Sequence, residues 1–196
     1  MTLLSCIIAY LLGSIPNGLI LCRAIWRIDI REYGSRNIGA TNVYRTLGKG
    51  PGALVFLLDF LKGFLGVYIA MLLVDTPLAM VLCGIAAILG HSASIFLGFK
   101  GGKGVATGLG VIAMLMPALT GIVFLIWLGI VFVTRYVSLG SIVGAALVPV
   151  LALFFSYPME YTLFGVFAAV LVILRHHANI TRLMNGTESK IKAGKR

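Results

Sequence analysis

Three polar stretches interrupt an otherwise apolar chain, and each carries side chains suited to an anion. The first is Gly34-Ser35-Arg36-Asn37-Ile38-Gly39-Ala40-Thr41-Asn42-Val43-Tyr44-Arg45. Its small residues leave backbone N–H groups accessible, its hydroxyls and amides add donors, and an arginine ends it. Oriented N–H donors with a bidentate cation in reach are what a phosphate needs. An ordinary juxtamembrane loop, its arginines facing lipid head groups, fits the same residues.

The second stretch is Gly98-Phe99-Lys100-Gly101-Gly102-Lys103-Gly104-Val105-Ala106-Thr107, a glycine loop opening a helix. Helix N-termini attract anions through unpaired N–H groups and the helix dipole, and Lys103 adds a full charge. Gly101, Gly102, Gly104 and Thr107 are therefore substrate-binding candidates beside it. A nucleotide P-loop is excluded by spacing: its first glycine would fall on Leu97 and its Ser/Thr on Gly104. What remains is a phosphate loop without a nucleotide signature, or a flexible turn with snorkelling lysines. The third stretch, His176-His177-Ala178-Asn179-Ile180-Thr181-Arg182, closes the last apolar run. His176 and Asn179 are i, i+3 and would share a helix face, although cationic side chains also favour helix C-termini for their own sake.

Inside the apolar runs, Asp59 and Lys62 are again i, i+3. A lone charge in lipid costs roughly 2.5–3.5 kcal/mol, so the two are read as an interior ion pair. His91, between Gly90 and Ser92, reads as a hydrogen-bonded interior histidine. Cys6, Cys22 and Cys83 have no paired spacing, so packing is expected rather than a disulfide or a metal. No cofactor motif is present, and neither metal nor cofactor is expected.

The elements that must position these groups follow from composition. Sixty per cent of the 196 residues are hydrophobic and 11% charged, against roughly a quarter charged in soluble proteins. That excludes a soluble domain. Apolar runs occupy 3–22, 52–74, 78–97, 105–133, 137–155 and 161–174, and a crossing needs about 20 residues. The first run lacks a basic leader and reads as a span rather than a signal peptide. The 105–133 run is long enough for one tilted helix or for two broken at Met116-Pro117.

Charge decides between them. With two helices there, fifteen of the sixteen Lys and Arg fall on one membrane face, and the sixteenth, Lys62, lies inside a span. Cytoplasmic loops gather Lys and Arg. The expected fold is an all-α integral membrane protein, a seven-transmembrane-helix bundle with the N-terminus outside and the C-terminus cytoplasmic. Residues 1–196 then form a single membrane-embedded domain. The net charge of +10 reads as topology and an anionic substrate rather than nucleic acid.

At these residues the chain resembles the bacterial acyl-phosphate:glycerol-3-phosphate acyltransferases, the PlsY family. The matching stretches are Gly13-Ser14-Ile15-Pro16, 34–42, 58–63, Gly90-His91, 100–107, 135–141 and 176–186. The resemblance implies a seven-helix enzyme of the bacterial inner membrane, its active site facing the cytoplasm. It would acylate glycerol-3-phosphate from an acyl phosphate, the first acylation of phospholipid synthesis. Carried over by position, Ser35, Asn37, Arg45, Lys103, Ser141, His176 and Asn179 form the polar site. Lys103, Ser141, His176 and Asn179 are assigned to catalysis. Ser35, Asn37, Gly39, Ala40, Thr41, Asn42 and Arg45 are assigned to substrate binding, with the glycine-loop residues. Arg36 stands where the family usually has Gly, and His177 where Arg is common.

The residues agree with that chemistry in what they lack. No His is followed five positions later by Asp, and no Gly-x-Ser-x-Gly elbow occurs. Direct attack by the acceptor hydroxyl on an already activated acyl phosphate is therefore expected. The rival is an organic-anion transporter or channel, which would carry an inverted repeat and midplane charges on broken helices. No such repeat is visible.

Overall fold

The computed structural model describes residues 1–191; Lys192, Lys195 and Arg196, counted above among the fifteen basic residues of one face, lie outside the described residues. All regular structure among the described residues is helical, apart from one isolated bridge between Ser94 and Lys100. The helices are α1 (Thr2–Ser14), α2 (Asn17–Trp26), α3 (Ala40–Leu47), α4 (Lys49–Leu73), α5 (Pro77–Ser92), α6 (Val105–Leu115), α7 (Pro117–Thr134), α8 (Val137–Phe154), α9 (Met159–Arg175) and α10 (His177–Met184). Each apolar run of the sequence is helical over most of its length.

Among the described residues, four stretches are long and apolar enough to cross a membrane: Thr2–Trp26, Lys49–Leu73, Pro117–Thr134 and Val137–Phe154. A fifth is added when α9 and α10, bent by 61°, count as one span. Helices α5 and α6 are shorter.

Proline sets the breaks. Ile15 adopts φ −59°, ψ 116° before Pro16, so the first run is α1 and α2 in series rather than one straight helix. Met116, with φ −142° and ψ 67° before Pro117, divides 105–133 into α6 and α7, the two-helix alternative. In both places the proline ring disfavours helical geometry in the residue before it. Pro77, by contrast, opens α5 at a position where a missing N–H costs nothing, and Thr76 Oγ1 accepts from Ala79 N at 3.3 Å. Helix α5 also ends earlier than the apolar pattern, at Ser92, and a 3-10 turn follows at Ile95–Leu97.

The chain divides into two compact units, Met1–Val111 and a second that begins at Ile112. In the first, α1 packs on both α4 and α5, and α3 on α4. Small residues make the contacts close. A Cβ on Gly13 would strike the Ala87 backbone, one on Gly63 the Thr107 carbonyl, and one on Gly110 the Phe60 carbonyl. Such approaches let membrane helices gain dispersion contacts that lipid cannot supply. In the second unit α8 packs against α7 and α9, with Gly165 set against Pro149.

Candidate functional site

The first polar loop is organised from within by one side chain. Asn42, in the first turn of α3, is 2% exposed. Its Oδ1 accepts from the Ser35 N–H at 2.8 Å, and its Nδ2 reaches the carbonyls of Ile30, Tyr33 and Asn37 at 3.1, 3.0 and 2.8 Å. Its polar atoms are thus spent on shaping the loop, which makes Asn42 a scaffold for the neighbouring candidates. The loop's turns need left-handed backbone at Gly34 (φ 54°) and at Arg36 (φ 58°). That geometry explains physically why glycine suits position 36, since only glycine enters it without cost.

Asn37 Oδ1 accepts from Gly39 N at 2.8 Å and sets the entry to α3. No side chain caps that helix at Gly39, and the N–H groups of Ala40 and Thr41 belong to its first turn, where N–H groups have no partner within the helix. Ser35 is exposed and Arg45, in the last turn of the same helix, is half-buried.

Ahead of this loop, Asp29 forms ion pairs with Arg23 (2.6 Å) and Arg31 (2.7 Å). The Arg31 hydrogen bonds hold the Asp29 carboxyl well below the usual carboxylate range, burial opposing them. These arginines are thereby anchored by a neighbouring carboxylate.

The glycine loop also lies in the first unit. Left-handed backbone at Gly98 (φ 60°), Phe99 (φ 60°) and Gly104 (φ 78°) folds it back so that α6 begins at Val105. Phe99 N and Leu97 N both donate to Ser94 O, at 2.8 and 3.1 Å. Gly102 and Gly104 are buried, while Gly101 and Lys103 are half-buried. Thr107, in the first turn of α6, is fully buried. The Asp59–Lys62 pair is an interior ion pair as read: the groups are 3.0 Å apart and 3–4% exposed. His91 is buried beside it.

The second unit holds the remaining candidates. Ser141, buried in α8, donates to Val137 O at 2.9 Å, and Trp127 Nε1 lies 3.4 Å from its Oγ. His176 is not on a continuous helix face with Asn179. It sits at the bend between α9 and α10, with φ −105° and ψ 9°. Its Nδ1 is 2.7 Å from Val172 O. A carbonyl only accepts, so Nδ1 carries the proton and a neutral ring presents Nε2 as an acceptor.

Sequence reasoning missed Glu188. It is 6% exposed and accepts from Ser138 Oγ (2.9 Å), Asn179 Nδ2 (2.8 Å) and Arg182 Nε (2.8 Å). Burial pushes its pKa up, but the three hydrogen bonds and the Arg182 charge outweigh that and hold it below the ordinary value. The only signal in the sequence was an acidic residue two positions after Gly186 in a basic tail.

Comparison with known proteins joins these observations. A family model described as glycerol-3-phosphate acyltransferase matches residues 3–186. A glycerol-3-phosphate acyltransferase of Syntrophomonas wolfei is 50% identical over 185 residues, covering 94% of each chain. One of Shouchella clausii is 50% identical over 191 residues, covering 93% of this chain and 92% of its own. Two crystal structures of PlsY, an integral membrane glycerol 3-phosphate acyltransferase, have the same fold. Its glycerol 3-phosphate form gives a TM-score of 0.93 at 43% identity, covering 97% of this chain and 96% of that one. Its lysophosphatidic acid form gives 0.91 at 42%, covering 98% and 96%. With its uncapped α3 turn, its glycine loop and its membrane helices all inside the matched region, the chain belongs to the glycerol-3-phosphate acyltransferase family.

Proposed function

We propose that this protein transfers a fatty acyl group from an acyl phosphate to the 1-hydroxyl of glycerol-3-phosphate. The products are 1-acyl-glycerol-3-phosphate and inorganic phosphate. The observation that carries the reading is the pair of phosphate-suited loops in the first unit, one ending in Arg45 and one holding Lys103. Relatives at 50% identity are named for the acceptor, and the PlsY structures were solved in acceptor and lysophosphatidic acid forms.

In the reaction the acceptor hydroxyl oxygen bonds to the acyl carbonyl carbon. The tetrahedral intermediate then expels phosphate, which leaves with the electron pair of the broken C–O bond. The hydroxyl proton passes to a substrate phosphate oxygen, with His176 Nε2 as the competing acceptor. Because the acyl phosphate arrives activated, positioning and charge neutralisation supply the catalysis. Ser35, Asn37 and Arg45, with the N–H groups of Gly39, Ala40 and Thr41, hold glycerol-3-phosphate. Lys103, with Gly101, Gly104 and Thr107, holds the leaving phosphate, and Gly102, whose N–H donates to the His91 carbonyl, shapes the loop. Ser141, His176 and Asn179 complete the polar assignment, and Asn42 acts through the loop it shapes.

The topology proposed with this function is seven spans in a bacterial inner membrane, with the N-terminus outside and the charged loops cytoplasmic. Fifteen of sixteen basic residues on one face support it. Purified protein in detergent, where transport is impossible, tests the activity. Phosphate should leave palmitoyl phosphate only when glycerol-3-phosphate is added. Release without acceptor, or none with it, overturns the proposal. Radiolabelled acyl group trapped on the protein would instead remove direct attack. A His176→Ala enzyme with its rate nearly intact would remove histidine as the base.

A further inference from the structure

His91 is gripped from two sides by groups far apart in sequence. Helix α5 ends at Ser92, and the last carbonyls of a helix have no partner within it. The His91 carbonyl finds one in the glycine loop, accepting from Gly102 N at 3.0 Å. The ring then fills the space where a Gly102 side chain would be: a Cβ there would collide with Nε2, and one on Gly101 with the His91 carbonyl. The two glycines are thus seated on one histidine, by backbone and by ring, and Lys103 is the next residue.

The other edge of the ring faces Asp59, with Nδ1 3.8 Å from Oδ1. That carboxylate is itself fixed. Asn17 Nδ2 donates to it at 3.0 Å, and Lys62 Nζ, 3.0 Å away, also donates to Ile15 O at 2.8 Å. The Ile15 carbonyl is available because Pro16 breaks the helix there. Helices α2, α4 and α5 and the α1–α2 break therefore converge on one buried polar cluster, its charged groups under 6% exposed. A buried ion pair gains little stability over well-packed apolar residues. A cluster that ends against the glycine loop has a second use, which is to hold the loop in one place.

We propose that His91 is a positioning residue for the acyl transfer. Its ring faces Asp59, which Lys62 and Asn17 hold in place, and it fixes Gly101 and Gly102 so that Lys103 meets the leaving phosphate. The inference rests on the acyltransferase reading above and adds to it a residue that touches no substrate.

The test is a pair of double-mutant cycles on the full-length enzyme, with palmitoyl phosphate and glycerol-3-phosphate. His91→Ala should lower kcat about tenfold or more while KM for glycerol-3-phosphate stays within about twofold, since a small misplacement of a charge-bearing group is felt in the transition state. In a Lys103→Ala background the same change should cost no more than about twofold, because groups acting through one another are not additive. Gly102→Ala should lose activity through its collision with the ring, and His91→Ala/Gly102→Ala should be no slower than Gly102→Ala alone. Losses that multiply in both cycles, or a His91→Ala effect confined to KM, overturn the inference. Should His91→Ala not fold, His91→Asn, which also vacates the Nε2 position, replaces it with the same expectations. Wild-type protein that releases no phosphate on adding acceptor fails the reaction itself, a result seen before any variant is compared, and the inference falls with it.

Discussion

Asn179 Nδ2 donates to Glu188 Oε1 at 2.8 Å, and the same oxygen accepts from Ser138 Oγ at 2.9 Å. One carboxylate from the tail therefore joins the first turn of α8 to the first turn of α10. Its second oxygen takes Arg182 Nε at 2.8 Å. Asn179 is left with a fixed rotamer at the bend where His176 also lies.

Glu188→Ala should destabilise the folded protein by about 2–3 kcal/mol, because it removes the acceptor shared by Ser138, Asn179 and Arg182. The pH dependence has a definite sign. The folded pKa of Glu188 lies below the unfolded value. Its stabilisation is therefore complete above roughly pH 4.3, the unfolded carboxylate value, and is lost as pH falls through the folded pKa. Thermal unfolding in detergent, followed from pH 7 to pH 3, should show an acid decline that Glu188→Gln makes shallower.

Arg36→Gly should stabilise the loop. At φ 58° an L-residue carries a left-handed strain of about 1–2 kcal/mol. Glycine removes it and returns part as unfolded-state entropy. A net gain of about 0.5–1 kcal/mol, read as an unfolding midpoint higher by about 1–4 °C, is expected. An unchanged or lower midpoint means that the guanidinium makes a compensating contact.

Lys103→Ala should lose on the order of 10²-fold or more in kcat if the ammonium acts on the developing charge of the leaving phosphate. A variant that loses only KM assigns Lys103 to ground-state binding instead. Steady-state rates at saturating palmitoyl phosphate separate the two.

Single cysteines at Thr76 and Lys192, placed in a cysteine-free background, should be labelled from opposite sides of sealed inverted vesicles. Thr76 caps α5, between two apolar helices, and position 192 lies within the basic end of the chain. Labelling from the same side would mean that 105–133 makes a single crossing.

How much of this was legible in the sequence differs from element to element. Helices were legible because lipid leaves a backbone no partner but itself, so each apolar run had to be helical. The Pro16 and Pro117 breaks follow from a ring that acts on its own neighbour. Pro117 could be placed in advance, whereas Pro16 lay inside a run read as one span. The Asp59–Lys62 pair was legible too, since i, i+3 is a local spacing. The two phosphate-suited loops showed themselves as glycine and charge where everything around them is apolar.

What tertiary structure alone decided are the partners brought together across long chain separations. Asp59 meets Asn17 across 42 residues, and Ser138 meets Glu188 across 50. No periodicity reports such a pairing. Asn42 looked like a substrate ligand by its type, and the fold turned its amide inward to shape the loop. His91 looked like an interior histidine, and the fold set a glycine loop against its ring. The chain's own chemistry determined which residues can hold a phosphate. Where those residues stand was decided by helices packed at glycine and by buried polar groups, each needing a partner in an interior without water.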